Sequence, residues 1–266
     1  MNKTRPTVLK IGGSVITNKS GELEAKTQDI DRLAGEIQVA GGKDLIIVHG
    51  GGSFGHPVAE KYKIKDGYKE ELQKIGFSET HHVMTVLNGL FMDSLVWHNV
   101  PAVSLTPSSF IVTENGRINH FEDGAIESLL SMGFTPVLYG DAVLDTKLGF
   151  TILSGDQLVS NLAIRFNAER ILIGIDEDGV FEADPKVDKK SKMFEHLTLK
   201  EMNGLLSKLG KTTACDVTGG MFGKISELVP VIEHEIPVTI LNATQPRNVC
   251  RALQGEKVEG TLIEKA

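Results

Sequence analysis

Cysteine is scarce in this chain. Its 266 residues include only Cys215 and Cys250, too few for a disulfide framework and without the paired spacing of a zinc site, so a reducing cytoplasm is the expected setting. Long apolar runs are missing as well: no stretch reaches the roughly 18 apolar residues a spanning helix needs, and residues 1–6 are followed by no apolar segment, so neither a membrane span nor a signal peptide is expected. Positive charge is in deficit. With 28 Lys and Arg against 35 Asp and Glu the net charge is -7, and the absence of a basic stripe argues against a nucleic-acid partner. Any positive field must be local. A Walker-type phosphate loop is also absent, because Thr218 stands where its first glycine would be and Ile225 where its Ser or Thr would be.

What is present is an ordinary globular composition, 41% hydrophobic and 24% charged. Short apolar runs at 7–11, 45–48, 102–105, 135–138, 170–175, 238–241 and 260–263 read as strands. Between them lie helical patterns. Residues 27–40 place Ile30, Leu33, Ile37 and Ala40 on one face before Gly41-Gly42; 69–99 carries Leu72, Ile75, Val83, Leu87, Leu90, Phe91 and Leu95 as core or pocket positions; 122–132, 157–166, 199–209, a segment to Glu233 and 247–253 follow. Asn115-Gly116 and the stretch 145–149 mark two hairpins. Strands alternating with helices predict an α/β fold, a largely parallel open sheet sandwiched by helices, with no internal repeat.

Glycine clusters follow the early strands. His49-Gly-Gly-Gly-Ser-Phe-Gly-His56 comes after strand 45–48, with Pro57 expected in the first turn of a new helix. Gly12-Gly13-Ser14 comes after strand 7–11, and Thr218-Gly-Gly-Met-Phe-Gly-Lys224 reads as a third glycine turn before a helix. A strand, a glycine turn and a helix N-terminus together make an anion site, and two such turns suggest two phosphate-bearing ligands. Gly50, Gly52 and Gly55 also spell G-x-G-x-x-G, but a dinucleotide site needs a second strand ending in an acidic residue about 20 residues on, and residues 62–71 are polar with no strand run.

Charged groups sit beside these turns. Lys10 lies inside an apolar strand, where a charge is costly without a partner; Lys19 and Lys224 flank the first and third turns, though an isolated lysine is usually only a solvated side chain. His56 could cap or pack beside its helix, and Asp156 could serve only as an N-cap. His81-His82 lack metal-ligand spacing and read as surface or core histidines. Asp176-Glu-Asp-Gly179 fails the EF-hand pattern for want of a third acidic position and a distal glutamate.

Lys10-Ile-Gly-Gly-Ser14, His49-Gly-Gly-Gly52, Ser154-Gly-Asp156, Asp178-Gly-Val-Phe-Glu-Ala-Asp-Pro185 and Gly219-Gly-Met-Phe-Gly-Lys224 occur in the order seen in the amino acid kinase family, which the chain resembles over essentially its whole length. The resemblance implies one domain over 1–266, with an acceptor lobe of about 1–165 and a nucleotide lobe of about 166–266, and transfer of the γ-phosphoryl of ATP to a carboxylate, carbamate or phosphate oxygen. Ser53-Phe-Gly-His56 and Lys19 resemble the members that phosphorylate isopentenyl phosphate; members acting on the phosphonate fosfomycin also carry such a histidine, and a non-catalytic nucleotide sensor on the same fold is a further alternative. By the same resemblance Lys10, Lys19, His56, Asp156 and Lys224 are catalytic. Nucleotide contacts would come from Lys10, Gly12, Gly13, Ser14, Gly52, Asp176, Phe181, Asp184, Gly219, Gly220 and Lys224, and acceptor contacts from Gly51, Gly52, Ser53, His56 and Gly155. Magnesium would ride mainly on the ATP phosphates with no protein ligand set, and the molecule would be a homodimer. An apolar tail pocket is expected on the helix bearing Val83, Met84, Leu87 and Phe91, with Ile152 nearby.

The chemistry explains such a residue set. A phosphate monoester has a second pKa of about 6 and is mostly unprotonated at neutral pH, so no base is needed and His56 is expected to donate a hydrogen bond. Repulsion is the obstacle: two like unit charges about 4 Å apart cost roughly 4 kcal/mol at a surface-like dielectric. Converging cations remove that cost, and a carboxylate between Lys10 and Lys224 keeps them from repelling each other in an empty site.

Overall fold

The structure, a computed structural model, describes residues 5–19, 21, 23–41, 44–183, 185, 187–209 and 219–266. The first half contains β1 (Thr7–Ile11), α1 (Gly13–Ile16), α2 (Thr27–Ala40), β2 (Leu45–His49), α3 (Gly52–Lys61), α4 (Leu72–Trp97), β3 (Ala102–Ser104), β4 (Ile111–Glu114), β5 (Arg117–Phe121), α5 (Gly124–Ser131) and β6 (Thr135–Tyr139). It continues through β7 (Asp141–Asp145), β8 (Gly149–Leu153), α6 (Gly155–Arg165), β9 (Arg170–Ile175), β10 (Val180–Phe181), β11 (Met193–Phe194), β12 (His196–Thr198), α7 (Leu199–Leu209), α8 (Gly219–Glu233), β13 (Val238–Asn242), α9 (Asn248–Leu253) and β14 (Gly260–Glu264).

One sheet runs in the order β12-β14-β13-β9-β1-β2-β6-β3, and only the β13–β14 pair is antiparallel. Its central strands are buried on both faces, as continuous apolar runs such as Leu45-Ile-Ile-Val48 require. After β1 the chain builds β2, β3 and β6 on one side, then returns to lay β9 on the other. This reversal opens a crevice outside the carboxyl ends of β1, β2 and β9, the place where open α/β sheets bind ligands. A smaller sheet, β5-β4-β7-β8, carries the two expected hairpins. Asp145 secures both turns: it accepts from the amides of Gly116, Lys147 and Leu148 and from Thr113 Oγ1.

Each face of the main sheet has its own core. One is filled by α6 and α8 residues such as Leu158, Leu162, Leu228 and Val231, the other by Leu33, Ile37, Leu87, Phe91 and Leu95 from α2 and α4. Several positions in α4 depart from the pattern reading. Leu72 and Ile75 are 60% and 54% exposed, so they belong to neither core nor pocket. Leu87 and Phe91 are fully buried in the core and Val83 packs against it, because the inward stripe of a helix points under the sheet rather than toward its carboxyl edge.

Helix starts differ from expectation in an informative way. Residues 13–16 form a helical turn immediately after Gly12, and α3 begins at Gly52 with Gly51 as its cap, so Pro57 falls in the second turn rather than the first. Likewise Gly219 to Lys224 are already helical, and Thr218 lies outside the described residues. The glycines are therefore the first turns of the helices themselves. That leaves helix-start amides, which lack intrahelical acceptors, at the crevice.

Candidate active site

Two glycine segments meet at the crevice. Gly50 N donates to Ile11 O at 2.9 Å, and Thr17 Oγ1 accepts from Ser53 N at 3.0 Å while donating to Gly13 O at 2.8 Å. A Cβ on Gly13 would lie 2.2 Å from Gly52 N, so the approach of the segments requires glycine. Gly52 itself has φ +49, a conformation a glycine adopts without strain. Sequence reading missed Thr17. Its only signal was a hydroxyl four residues after Gly13, and no local pattern predicts that it bridges to Ser53.

Beneath the second segment His49 is fully buried. It stacks on Tyr139 at 5.4 Å and meets Phe91 edge-on at 5.8 Å. Its ring nitrogens face Gly50 O and Asn88 Oδ1 at 3.2 and 3.3 Å. Burial lowers its pKa to about 4, against the smaller opposing effect of those hydrogen bonds, so the ring is neutral at pH 7.

Lys10, at the end of β1, donates to Asp156 Oδ1 at 2.5 Å. Asp156 stands in the first turn of α6, but the cap of that helix is Ser154, whose Oγ accepts from Gln157 N at 3.1 Å. The carboxylate is thereby left to the lysine, not to the helix end. Lys10 is only 3% exposed; burial lowers its pKa most and the Lys224 charge lowers it further, while Asp156 works the other way. His56, on α3, lies in the same field: burial first, then Lys224 and Lys10, depress its pKa, against Asp156 and Glu60. The structure therefore brings together Lys10, Lys224, Asp156 and His56, from four different elements, around one cavity of about 720 Å³.

Most of the remaining expected residues line the same cavity. Gly51, Gly52, Ser53 and Gly155, expected to contact the acceptor, line the cavity. The Ser53 hydroxyl is buried and has no hydrogen-bond partner among the described residues, so a donor stands ready for an acceptor oxygen. Gly12, Gly13, Ser14, Lys19, Asp176 and Phe181, expected beside the nucleotide, line it too. Asp176 accepts from Ser14 Oγ at 2.7 Å and from Lys19 Nζ at 2.8 Å. Burial raises its pKa, but Lys19 and Ser14 outweigh this and bring it to about 2. Gly219 and Gly220 open α8, which carries Lys224 in its second turn. Asp184 lies outside the described residues. Asp178 accepts from Asn242 Nδ2 at 2.8 Å.

Of the expected tail-pocket residues only Met84 and Ile152 reach the cavity, joined by Ala59, Pro57 and Thr80. Asp141 is also there, buried and accepting from His81 Nδ1 at 3.0 Å. His81 thus has a partner that its sequence context did not announce. Among the described residues no group of three or more His, Cys, Asp or Glu could hold a metal ion, and no helix is long and apolar enough to cross a membrane.

Comparison with known proteins agrees with this architecture. The chain is 42% identical over 263 residues to an isopentenyl phosphate kinase of Methanothermobacter thermautotrophicus, covering 96% of this chain and 98% of that protein. It is 37% identical to the isopentenyl phosphate kinase of Methanocaldococcus jannaschii, covering 97% and 98%. A solved isopentenyl phosphate kinase structure superposes with a TM-score of 0.86 at 38% identity, covering 97% of this chain and 99% of the other. UMP kinase of Ureaplasma parvum, at 17% identity and a TM-score of 0.67, shares the fold. The model of the amino acid kinase family matches residues 5–242, and the chain belongs to that family.

Proposed function

We propose that this protein transfers the γ-phosphoryl group of ATP to the phosphate of isopentenyl phosphate, giving isopentenyl diphosphate and ADP. The observation that carries the reading is the cluster of Lys10, Lys224, Asp156 and His56 at one cavity, in a chain whose full-length relatives bear the name isopentenyl phosphate kinase. The domain over 1–266 divides into an acceptor lobe of about 1–165 and a nucleotide lobe of about 166–266.

Each residue has a task that its position supports. The amides at Gly12, Gly13 and Gly52, with Ser14, Gly219 and Gly220, hold the nucleotide phosphates, and Asp176 and Phe181 face the nucleoside; Asp184, outside the described residues, is assigned to the nucleotide by the family resemblance alone. Gly51, Gly52, Ser53, Gly155 and His56 hold the acceptor phosphate; a neutral imidazole donates from one ring N–H and takes no proton from the dianion. Lys10 and Lys224 straddle the transferring group, and Lys19 offsets charge at the mouth. Asp156 keeps Lys10 aimed into the cavity and offsets the lysine pair when the site is empty. Bond-making needs in-line approach of the acceptor oxygen and leaves ADP, so the work of the protein is positioning and charge stabilisation.

Magnesium fits this site as a passenger. Of the carboxylates lining the cavity, Asp156 and Asp176 are each engaged by a lysine and Asp141 by His81, and among the described residues no carboxylate group is arranged to hold an ion, so it would be carried mainly by ATP phosphates and water. When bound it supplies charge neutralisation. We further infer a cytoplasmic homodimer: Val86, Leu90 and Trp97 share one face of α4 and are exposed, offering apolar surface to a second copy, and light scattering would read twice the 28.9 kDa chain mass.

The deciding assay compares isopentenyl phosphate, fosfomycin and simple alkyl phosphates with ATP by kcat/KM. Isopentenyl phosphate is expected to lead; preference for fosfomycin, or no transfer to any of them, overturns the reading.

A further inference from the structure

Two helix starts approach each other at the crevice, α1 at Gly13 and α3 at Gly52, and a Cβ on Gly52 would lie 2.0 Å from Thr17 Oγ1. Thr17 therefore stands in the gap between them. It closes α1 as an extended C-terminal cap, and both its amide and its hydroxyl donate to Gly13 O at 2.8 Å. The hydroxyl oxygen also accepts from Ser53 N at 3.0 Å, an amide in the first turn of α3 that has no acceptor within its own helix. One buried side chain thus spans both segments.

Thr17 is 0% exposed, and the cavity is lined by Gly13, Gly52 and Ser53 rather than by Thr17 itself. It stands behind the wall and touches no ligand. Its own place is secured: its backbone pairs with Ala25, Lys26 N donates to Ile16 O at 2.9 Å, and Lys26 Nζ donates to Ser14 O at 2.9 Å. Gly50 N to Ile11 O, at 2.9 Å, ties the two segments at the sheet edge; Thr17 ties them beyond that edge, past the end of β1. Removing the hydroxyl leaves each segment its own hydrogen bonds, Lys26 to Ser14 on one side and Phe54 N to Gly51 O at 3.0 Å on the other. What it frees is the spacing.

From this geometry we infer that Thr17 is a positioning residue for phosphoryl transfer, one that sets the separation of the donor and acceptor phosphates. The inference rests on the proposed function, in which Gly13 and Ser14 hold nucleotide phosphates and Gly51 and Ser53 hold the acceptor phosphate. Transfer requires the attacking oxygen within about 3–3.5 Å of the phosphorus, and an error of about 1 Å costs on the order of a hundredfold in rate. A spacer therefore acts on kcat. Each substrate is still gripped by its own segment, so both KM values are largely retained.

The test compares the intact protein with Thr17→Val, Thr17→Ala and Thr17→Ser, using steady-state kinetics with ATP and isopentenyl phosphate and calorimetric titration with ADP to count nucleotide sites. Valine puts a methyl group where Oγ1 lies 3.0 Å from Ser53 N, inside the roughly 3.5–4.0 Å of an ordinary carbon contact. Alanine leaves that amide without its acceptor, and serine keeps both hydrogen bonds. Turnover per ADP site is expected to fall about tenfold to a hundredfold in Thr17→Val and Thr17→Ala, with both KM values within about threefold. Thr17→Ser should restore kcat to within about threefold of the intact protein. A hydroxyl needed only for folding would lower the number of ADP sites and leave turnover per site as it was. That result overturns the inference, as does a loss confined to KM, a Thr17→Ser variant as slow as Thr17→Ala, or loss of ADP binding in both Thr17→Val and Thr17→Ala. An intact protein that does not phosphorylate isopentenyl phosphate overturns the proposed function beneath it, whereas an active one whose variants keep their turnover overturns this inference alone.

Discussion

Lys10 Nζ and Asp156 Oδ1 are 2.5 Å apart, although 146 residues separate them along the chain. The contact joins the penultimate residue of β1 to the first turn of α6, and the two partners differ in environment. The lysine side chain is 4% exposed and the aspartate 20%.

That asymmetry predicts opposite stability effects. Asp156→Ala leaves a buried ammonium without its counter-charge and should cost about 3–5 kcal/mol in urea unfolding. Lys10→Met keeps the volume, leaves the more exposed partner behind, and should cost clearly less. Both should lower kcat, Lys10→Met by about 3 kcal/mol in the barrier. Near-normal turnover of Lys10→Met would remove the amine from the reaction.

His56→Ala is expected to raise KM for the acceptor while leaving KM for ATP nearly unchanged, at a loss of about 1.5–3 kcal/mol, the range for a hydrogen bond to a charged group. Because burial and two lysines hold its pKa below the usual histidine range, the free enzyme should show no limb in kcat/KM from this residue above the ordinary histidine pKa. Steady-state kinetics with each substrate varied in turn makes the distinction.

Acid should destabilise the fold through His49. Its folded pKa of about 4 lies below the unfolded value of 6.5, so between those values the unfolded chain binds the extra proton. Its contribution is intact above about pH 6.5 and is lost as pH falls toward 4, a drop of about 3 kcal/mol across the window. Denaturant titrations at a series of pH values should show the slope, and His49→Gln should flatten it.

Gly13→Ala should abolish activity, since its methyl group would fall 2.2 Å from Gly52 N and push the two glycine segments at the crevice apart. Gly41→Ala is a useful contrast: its φ of +83 is strained for alanine but no atom lies within 4 Å, so stability should fall modestly with kcat intact.

Lys19 should separate function from stability in the other direction. Its side chain is 63% exposed and pairs with Asp176 across 157 residues of sequence. An exposed ion pair contributes at most about 1 kcal/mol, so Lys19→Ala should barely move the unfolding midpoint. A fall in kcat that is larger at low salt than at high salt would mark its charge as the active feature.

The sequence alone determined the alternation of elements, the parallel sheet and the glycine turns that follow the strands, because each is written within a few neighbouring residues: apolar runs for central strands, a glycine where backbones must approach. It also identified Lys10, since a charge inside an apolar strand demands an explanation locally. What only the tertiary structure decided are the pairings over long distances. Lys10 with Asp156, Lys19 and Ser14 with Asp176, Thr17 with Ser53, and His81 with Asp141 all join segments whose mutual approach is set by strand order and helix packing, which no short window of residues encodes. For the same reason the inward stripe of α4 could be read but not its destination: Leu87 and Phe91 went to the core, Met84 to the cavity. Periodicity states which side of a helix is apolar, and only the packed neighbours state what that side faces.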